Sequence, residues 1–276
     1  MQTYPVVLTI AGSDSGGGAG IQADLKTISA LGAFGTSAIT AITVQNTLGV
    51  RAIHSVPFDI LEGQIDAVMS DFDVKAIKVG MINHAEVPAI IARAIQKYKP
   101  SHVVVDPVMV ASSGDALIQE HAIEQLKIKL FPLADVITPN LHEASILLNK
   151  IINSQQEMEE AAKSLATLGC KSVLVKGGHL AENEMTDVLW IKEEKKVYYF
   201  SSPKINTRNL HGTGCSLSSA VATFLAFGEP LLMAVQHAKE YITQAIDAGK
   251  GIKIGHGNGA VNHFFNPQKL KIIDIE

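Results

Sequence analysis

Apolar residues along this chain form short continuous runs, which alternate with stretches where they recur at helical spacing. The runs predict strands over residues 6–11, 36–44, 50–56, 74–79, 103–108, 134–138 and 172–175, and the first of these suits a strand buried on both faces. The stretches of helical spacing predict helices that start near residue 21 and that cover 60–70, 85–97, 154–168, 216–227 and 230–248. This alternation predicts an α/β fold with a mainly parallel sheet and helices on both faces.

Two further apolar runs break the alternation. Residues 188–191 and 197–200 are joined by the charged segment 192–196, and this arrangement predicts a small antiparallel hairpin. We find no linker, internal repeat or low-complexity segment. The sequence therefore predicts one domain over residues 1–276.

Composition narrows the classes of function. The chain has 276 residues, 47% of them apolar and 18% charged, with a net charge of −4 that is spread along the sequence. This excludes a basic nucleic-acid groove, and no basic amphipathic helix or long apolar stretch suggests a membrane. The N-terminus lacks the basic and apolar regions of a signal peptide, and two cysteines are too few for a disulfide framework. We expect a cytoplasmic protein.

The segment 206–215 is the most informative stretch. It leads into the predicted helix 216–227, so Cys215 falls in or just before the first turn. Gly212 and Gly214 flank Thr213 and allow a tight backbone whose N–H groups point the same way. A helix start of this kind favours an anion, and its field would lower the pKa of the thiol. The alternative is a glycine-rich turn with a structural cysteine.

The glycine-rich segment 12–20 follows the first predicted strand. It lacks the Gly-Lys-Ser/Thr ending of a P-loop, although Gly18, Gly20 and Ala23 match the relaxed dinucleotide pattern G-x-G-x-x-A. No acidic residue follows between positions 24 and 59 to bind a ribose hydroxyl. We therefore interpret the segment as a loop that lets backbone such as Gly12 approach a small ligand, or as a tight turn.

Polar residues at the ends of predicted strands form a second group of candidates, because ligands collect at the carboxyl ends of parallel strands. Asp106 interrupts the apolar run 103–108 with a charged side chain. A carboxylate buried there needs a partner or a cation. Lys176 follows the run 172–175, where it could bind a phosphate or only neutralise a carboxylate.

Two other strand-end candidates leave a structural alternative open. Asn140 and Glu143 have the spacing of a helix-capping pair, but they could also lie near phosphate oxygens and a magnesium ion. Gln45 could read a flat heterocycle with an amino group beside a ring nitrogen, or it could cap a turn.

Six motifs together resemble the ribokinase-like superfamily and, within it, the hydroxymethylpyrimidine/phosphomethylpyrimidine kinases of thiamine biosynthesis. They are residues 8–26, Lys78-Val-Gly-Met81, Asp106-Pro-Val-Met109, Ile137-Thr-Pro-Asn140, Lys176-Gly-Gly-His179 and His211-Gly-Thr-Gly-Cys215. The resemblance runs nearly end to end. It implies a three-layer αβα fold, binding of ATP with Mg²⁺, and transfer of the γ-phosphoryl group to a primary hydroxyl.

The resemblance also implies roles for individual residues. The anion hole matches Gly212, Thr213 and Gly214, and Cys215 stands where many relatives have an aspartate base. The pyrimidine side matches Gln45, Met81 and Val108, with Gly12 beside them; the phosphate and magnesium side matches Asp106, Asn140, Glu143 and Lys176. Leu210 departs from the pattern, since the family often has a small polar residue there.

The predicted function is phosphorylation of 4-amino-5-hydroxymethyl-2-methylpyrimidine and of its monophosphate. In this interpretation Cys215 takes the hydroxyl proton late in the reaction, and positioning contributes more than proton removal. The alternatives are a pyridoxal kinase, which Gln45 disfavours, a non-catalytic small-molecule binding protein and, more remotely, a dehydrogenase. We expect a small pyrimidine as the partner, no nucleic acid or membrane, and a homo-oligomer with a dimer as the favoured form.

Overall fold

The structure is a computed structural model, and it describes residues 1–110, 117–178 and 184–274. The strands are β1 (Gln2–Thr3), β2 (Val6–Asp14), β3 (Phe34–Asn46), β4 (Gly49–Ser55), β5 (Val74–Val79), β6 (His102–Val105), β7 (Val136–Ile137), β8 (Ser172–Val175), β9 (Glu184–Ile191), β10 (Lys196–Pro203) and β11 (Ile273–Asp274). The α-helices are α1 (Gly20–Ala30), α2 (Phe58–Asp71), α3 (Val87–Tyr98), α4 (Glu120–Gln125), α5 (Leu141–Leu148), α6 (Gln155–Leu165), α7 (Thr213–Ala226) and α8 (Leu231–Gly249). Shorter helical turns cover Leu126–Leu130, Phe131–Leu133 and Ala166–Leu168.

Nine strands form one sheet in the order β10-β9-β8-β7-β6-β5-β2-β3-β4. The strands from β8 to β3 in this order pair in parallel, whereas β9, β10 and β4 pair antiparallel with their neighbours. The predicted mainly parallel sheet and its antiparallel hairpin, β9–β10, are confirmed. β1 and β11 make a separate two-stranded sheet.

Helices cover both faces of the large sheet, which confirms the three-layer arrangement. Successive residues of a strand point to opposite faces, and on β5 Ile77 packs with the core beneath α2, α3, α5 and α6, while Ala76 packs with the core beneath α1, α7 and α8. Both side chains are fully buried. Enclosure on both faces explains the apolar run 6–11 of β2, whose residues are all buried, whereas β4 at the edge of the sheet is largely exposed.

Some strands end elsewhere than predicted: β2 and β3 are longer than the predicted runs, whereas two runs near a proline end early as strands. β5 and β8 have the predicted bounds, but the run 103–108 ends as a strand at Val105 and the run 134–138 ends at Ile137. Pro107 and Pro139 follow closely, and proline has no N–H to donate to a sheet ladder. Just past these ends, Asp106 and Thr138 each donate one last N–H to the neighbouring strand, and their side chains hydrogen-bond to each other.

Helix α7 is the element that brings the candidate residues together. It packs across β2, β5 and β6 and beside α1 and α8, and its N-terminus lies at the carboxyl edge of the parallel strands. Among the described helices, none has the length and apolar character needed to cross a bilayer.

Candidate active site

The start of α7 forms the predicted tight turn. Gly212 caps the helix with a φ of 83°, a conformation that favours glycine, and a Cβ there would collide with the carbonyl of Gly18. Thr213, Gly214 and Cys215 occupy the first turn, as predicted. No acidic side chain lies in this turn, so its free N–H groups and helix dipole can receive an anion.

The first turn meets the cationic candidate directly at Gly214. A Cβ on Gly214 would lie 3.2 Å from Nζ of Lys176 and 3.9 Å from a carboxylate oxygen of Asp106. Only the absence of a side chain at this position lets the ammonium group approach the helix start so closely. An anion cradle and a lysine from two distant parts of the sequence thus share one site.

Asp106 is the buried partner of Lys176. Its Oδ1 accepts from Lys176 Nζ at 2.8 Å and from Thr138 Oγ1 at 2.9 Å, and Ser218 of α7 donates to its Oδ2 at 3.1 Å. Burial opposes the charge on Lys176, but Asp106 and Glu143 raise the pKa of Lys176. Both carboxylate oxygens of Asp106 therefore have hydrogen-bond partners, as a buried carboxylate requires.

Asn140 and Glu143 form a complete capping box at the start of α5. The Asn140 side chain accepts from Glu143 N at 2.9 Å, and Glu143 Oε2 accepts from Asn140 N at 2.8 Å. The structural alternative for this pair is therefore realised. It does not remove the other interpretation, because a β-bridge also places Asn140 beside Lys176, within the same cluster.

Glu143 carries the most perturbed carboxyl of the cluster. Burial raises the pKa of Glu143 to about 7, and the charge of Asp106 acts in the same direction. Lys176 and the N–H groups of Asn140 and Met109 act in the opposite direction and lower this pKa. Two buried carboxylates here share one lysine, so the cluster has an excess of negative charge. Mg²⁺ is commonly held by one or two carboxylates together with phosphate oxygens, and the donor set fits it in that shared form. The described residues contain no group of three or more metal-ligating side chains that would hold an ion alone.

The three candidates for the ring pocket, Gly12, Met81 and Val108, lie close together. Met81 and Val108 belong to one small apolar cluster with Ala41 of β3. A Cβ on Gly12 would lie 2.7 Å from the sulfur of Met81, so the Gly12 backbone touches this cluster. The structure therefore assembles an apolar surface from residues that are far apart in sequence.

Gln45 extends from the same face of β3 as Ala41 and reaches a polar pair that the sequence did not indicate. Its Nε2 lies 3.4 Å from Nε2 of His211, which is 2.8 Å from Asp14 Oδ2. Asp14 also accepts from N–H groups of Gly16, Gly18 and Ala19. Burial alone would raise the pKa of Asp14, but hydrogen bonds from His211, Ala19 and Gly16 lower it.

The expected lowering of the Cys215 pKa is wrong. Loss of hydration raises the pKa of the thiol to about 11; Lys78 lowers it, Asp24 and Asp106 raise it, and an N–H of Gly20 lowers it. The helix start does favour a thiolate, but two nearby carboxylates and burial outweigh it. At neutral pH the thiol keeps its proton.

The sequence reasoning also missed the fully buried pair of Lys78 and Asp24, in which Nζ lies 2.9 Å from both carboxylate oxygens. Lys78 begins one of the recognised motifs, but its partner lies 54 positions away on α1, and no local spacing connects them. His179, which ends another motif, lies outside the described residues.

Comparison with known proteins identifies the family. The chain matches the phosphomethylpyrimidine kinase family over residues 14–262. It is 50% identical to a hydroxymethylpyrimidine/phosphomethylpyrimidine kinase of Rhizobium meliloti, over 94% of this chain and 97% of that protein. It is 48% identical to the thiamine biosynthesis bifunctional protein ThiED of Geobacter sulfurreducens, over 96% of this chain, and spans about half (53%) of that longer protein.

A solved structure extends the comparison to three dimensions. The ADP complex of a Bacillus subtilis pyridoxal kinase superposes with a TM-score of 0.87 at 35% identity, over 95% of this chain and 98% of that one. This agreement confirms the predicted ribokinase-like fold. The match over most of the length and the cradle beside Lys176 lead to one conclusion: the chain belongs to the phosphomethylpyrimidine kinase family.

Proposed function

We propose that this chain transfers the γ-phosphoryl group of ATP to the hydroxymethyl oxygen of 4-amino-5-hydroxymethyl-2-methylpyrimidine. The single observation that carries this proposal is the meeting of the α7 cradle with Lys176 at Gly214. Phosphoryl transfer requires stabilisation of charge on the moving group more than covalent chemistry. The N-terminus of a helix and a lysine that bind the same anion together supply that stabilisation.

In the proposed reaction the substrate hydroxyl oxygen forms a bond to the γ-phosphorus, and the bond from that phosphorus to the bridging oxygen breaks, releasing ADP. In the anion hole formed by Gly212, Thr213 and Gly214, the N–H of Thr213 donates to the carbonyl of Leu210 at 3.2 Å, so the other backbone N–H groups of the turn bind the transferring group. Lys176 exchanges part of its contact with Asp106 for phosphate oxygens. The hydroxyl proton passes to the Cys215 sulfur in its thiolate form, which is a small fraction of the enzyme at neutral pH. Because the pKa of this thiol is raised to about 11, positioning contributes more to the rate than proton removal.

Glu143 is the proposed protein ligand of Mg²⁺, and Asn140 lies beside it towards the phosphates. When bound, the ion neutralises charge on the phosphate oxygens. The excess of carboxylates over lysines in this cluster supports the assignment.

The ring is proposed to lie against Met81, Val108 and Gly12, with Gln45 reading its polar edge. An amide can donate to a ring nitrogen and accept from an adjacent amino group. The monophosphate of the same pyrimidine is proposed as a second acceptor, which would give the diphosphate. Greater identity to the Rhizobium meliloti kinase than to the pyridoxal kinase supports the pyrimidine over the pyridine.

The test is incubation of the full chain with ATP, Mg²⁺ and the hydroxymethylpyrimidine, with chromatographic resolution of mono- and diphosphate products. We expect both products, and neither from Cys215→Ala in the same time. ATP-dependent phosphorylation of pyridoxal without phosphorylation of the pyrimidine would replace the proposed substrate. If ATP is consumed with neither substrate, the remaining interpretation is a non-catalytic small-molecule binding protein.

We further propose a cytoplasmic homodimer. Ile42, Val44 and Leu48 expose more than half of their side chains near β4, which is the last strand of the sheet. Exposed apolar side chains at a sheet edge favour contact with another chain. Sedimentation velocity measures the oligomeric state, and a monomer at micromolar concentration would contradict this part of the proposal.

A further inference from the structure

The ion pair of Lys78 and Asp24 is fully closed to solvent. Both side chains have zero exposure, and besides Lys78 the carboxylate accepts from Thr9 Oγ1 at 2.6 Å and from Ser219 Oγ at 2.8 Å. No step of the proposed reaction uses this pair. Two well-packed apolar side chains would often be less costly to bury than two charges, so stability does not by itself explain the pair.

The pair lies one helical turn beneath the Cys215 sulfur. On α1, Gly20 and Asp24 are four residues apart, and on α7 so are Cys215 and Ser219. The N–H of Gly20 donates to the Cys215 sulfur, and Ser219 donates to Asp24. The two helices therefore contact each other at two matching levels, which lie about 6 Å apart along their axes.

Lys78 approaches these helices from the sheet. It lies on β5, and a Cβ on Gly80 would be 2.7 Å from its Nζ, so the ammonium group sits against the backbone that leads to Met81. Two of its three N–H donors are accounted for by the Asp24 oxygens. Its charge acts on Cys215 as well as on Asp24.

Four charged groups face the Cys215 sulfur from the surrounding elements. Lys78 of β5 and Lys176 beyond β8 are cationic, while Asp24 of α1 and Asp106 beyond β6 are anionic. Lys176 and Asp106 belong to the proposed phosphate side, where the proposed reaction has Lys176 exchange part of its contact with Asp106 for phosphate oxygens. Lys78 and Asp24 have no access to solvent or ligand, so their effect on the sulfur is constant.

We propose that Lys78 is a positioning residue for Cys215: its sealed ammonium group favours negative charge on the sulfur, and Asp24 anchors that ammonium group and limits its effect. The inference rests on the proposed role of Cys215 as proton acceptor. It concerns the sulfur itself, however, and can be tested without turnover.

The experiment measures the alkylation rate of Cys215 by iodoacetamide between pH 7 and 10, followed by mass spectrometry of the two cysteine peptides. The thiolate displaces iodide, so the rate follows the thiolate fraction and the reactivity of the sulfur. Cys170, fully buried and remote from Lys78, is the internal control for global opening. The variants are Lys78→Met, which removes the cation, and Asp24→Asn, which removes the opposing anion.

We expect opposite effects from the two variants, each with an unchanged rate at Cys170. A change of one pKa unit alters the thiolate fraction tenfold, and the lower reactivity of a more stable thiolate reduces this to about threefold in rate. Alkylation of Cys215 should therefore be about threefold slower in Lys78→Met and about threefold faster in Asp24→Asn.

A merely structural pair would give changes of the same sign in both variants, or none, and either result would overturn the inference. If Lys78→Met does not fold, Asp24→Asn decides alone: faster alkylation of Cys215 supports the inference, and an unchanged or slower rate overturns it. Loss of kinase activity without these shifts would leave the proposed function intact and reject only the role of Lys78.

Discussion

Two buried lysine–aspartate pairs flank the start of α7, and they differ in their access to solvent. Lys78 and Asp24 have side-chain exposures of 0% and 0%, whereas Lys176 and Asp106 have 11% and 1%. Of these four side chains, only that of Lys176 has appreciable exposure. In the proposed function, this partly open lysine exchanges its carboxylate for an incoming anion, while the sealed Lys78 acts only through its charge.

Cys215 lies between the pairs, since both lysines act on it. Replacing Cys215 tests whether both lysine–aspartate pairs act through this one side chain, and this substitution has the largest expected effect. Cys215→Ala should lower kcat by about 10²- to 10⁴-fold, the usual contribution of a general base, with little change in substrate affinity. Steady-state kinetics measure this, with Cys170→Ala as the matched buried-cysteine control. A kcat within twofold of the parent would remove Cys215 from the mechanism.

The second-largest expected effect is on stability, to which the sealed pair Lys78–Asp24 should contribute more than the partly open pair Lys176–Asp106. Lys78→Met leaves Asp24 without its cation in a place that water cannot reach, and this should reduce the free energy of unfolding by about 3–5 kcal/mol. Lys176→Met should cost less, because that site borders solvent. It should instead raise the KM for ATP. Urea unfolding of both variants measures the difference, and equal losses would mean that exposure does not distinguish the pairs.

The ring side should respond more weakly than the phosphate side. Gln45→Met leaves polar groups of the pyrimidine unsatisfied, at about 1–3 kcal/mol, so kcat/KM should fall by about ten- to a hundredfold. The measurement is the ratio of kcat/KM for the hydroxymethylpyrimidine to that for pyridoxal.

Gln64→Met is the control for Gln45→Met, since Gln64 also bonds β3, at Ile39, but lies outside the ring pocket. It should keep the ratio of the two substrates. An unaltered ratio in Gln45→Met would show that this amide does not read the ring.

The smallest expected effect concerns Glu143, and it separates metal binding from helix capping. Its pKa is raised from 4.5 to about 7 in the folded chain, so its contribution to stability is complete below pH 4.5 and is lost as the pH rises through 7. Glu143→Gln should remove this decline from unfolding curves recorded between pH 4.5 and 7. It should also raise the Mg²⁺ concentration needed for half-maximal activity.

Glu157→Gln is the matched control, because Glu157 has the same third-residue position in α6, capped by Ser154. Neither the pH dependence nor the Mg²⁺ midpoint should change in this variant. The same Mg²⁺ midpoint in Glu143→Gln and in the parent would leave Glu143 with the capping role alone.

Local patterns in the sequence predicted the framework well. β5 and β8 have the predicted bounds, and the turn at Gly212 follows from its glycines. Helix α5 was predicted only through its capping pair, since its apolar positions are too few to show a period. The single domain over residues 1–276 and the roles of the site residues stay predictions.

Electrostatic properties were harder to predict, because they depend on groups that meet only in the folded chain. The helix start alone indicated a lowered pKa for Cys215, and the carboxylates of Asp24 and Asp106 reversed the result. Asp14 and His211 were not recognised as partners for the same reason. A single sequence carries no signal for contacts of this range.

The hydrogen bond from His211 to Asp14 joins residues 197 positions apart, and this separation has a consequence for synthesis. The central strand β2 and its glycine loop leave the ribosome early, and Asp14 can already bind the loop's own N–H groups. The cradle at α7 emerges only after three quarters of the chain has been made. Since chains fold from the N-terminus as they appear, we expect a growing chain to form the loop around Asp14 before the proposed phosphate site at α7 exists. On the proposed function, unfinished copies should therefore consume no ATP.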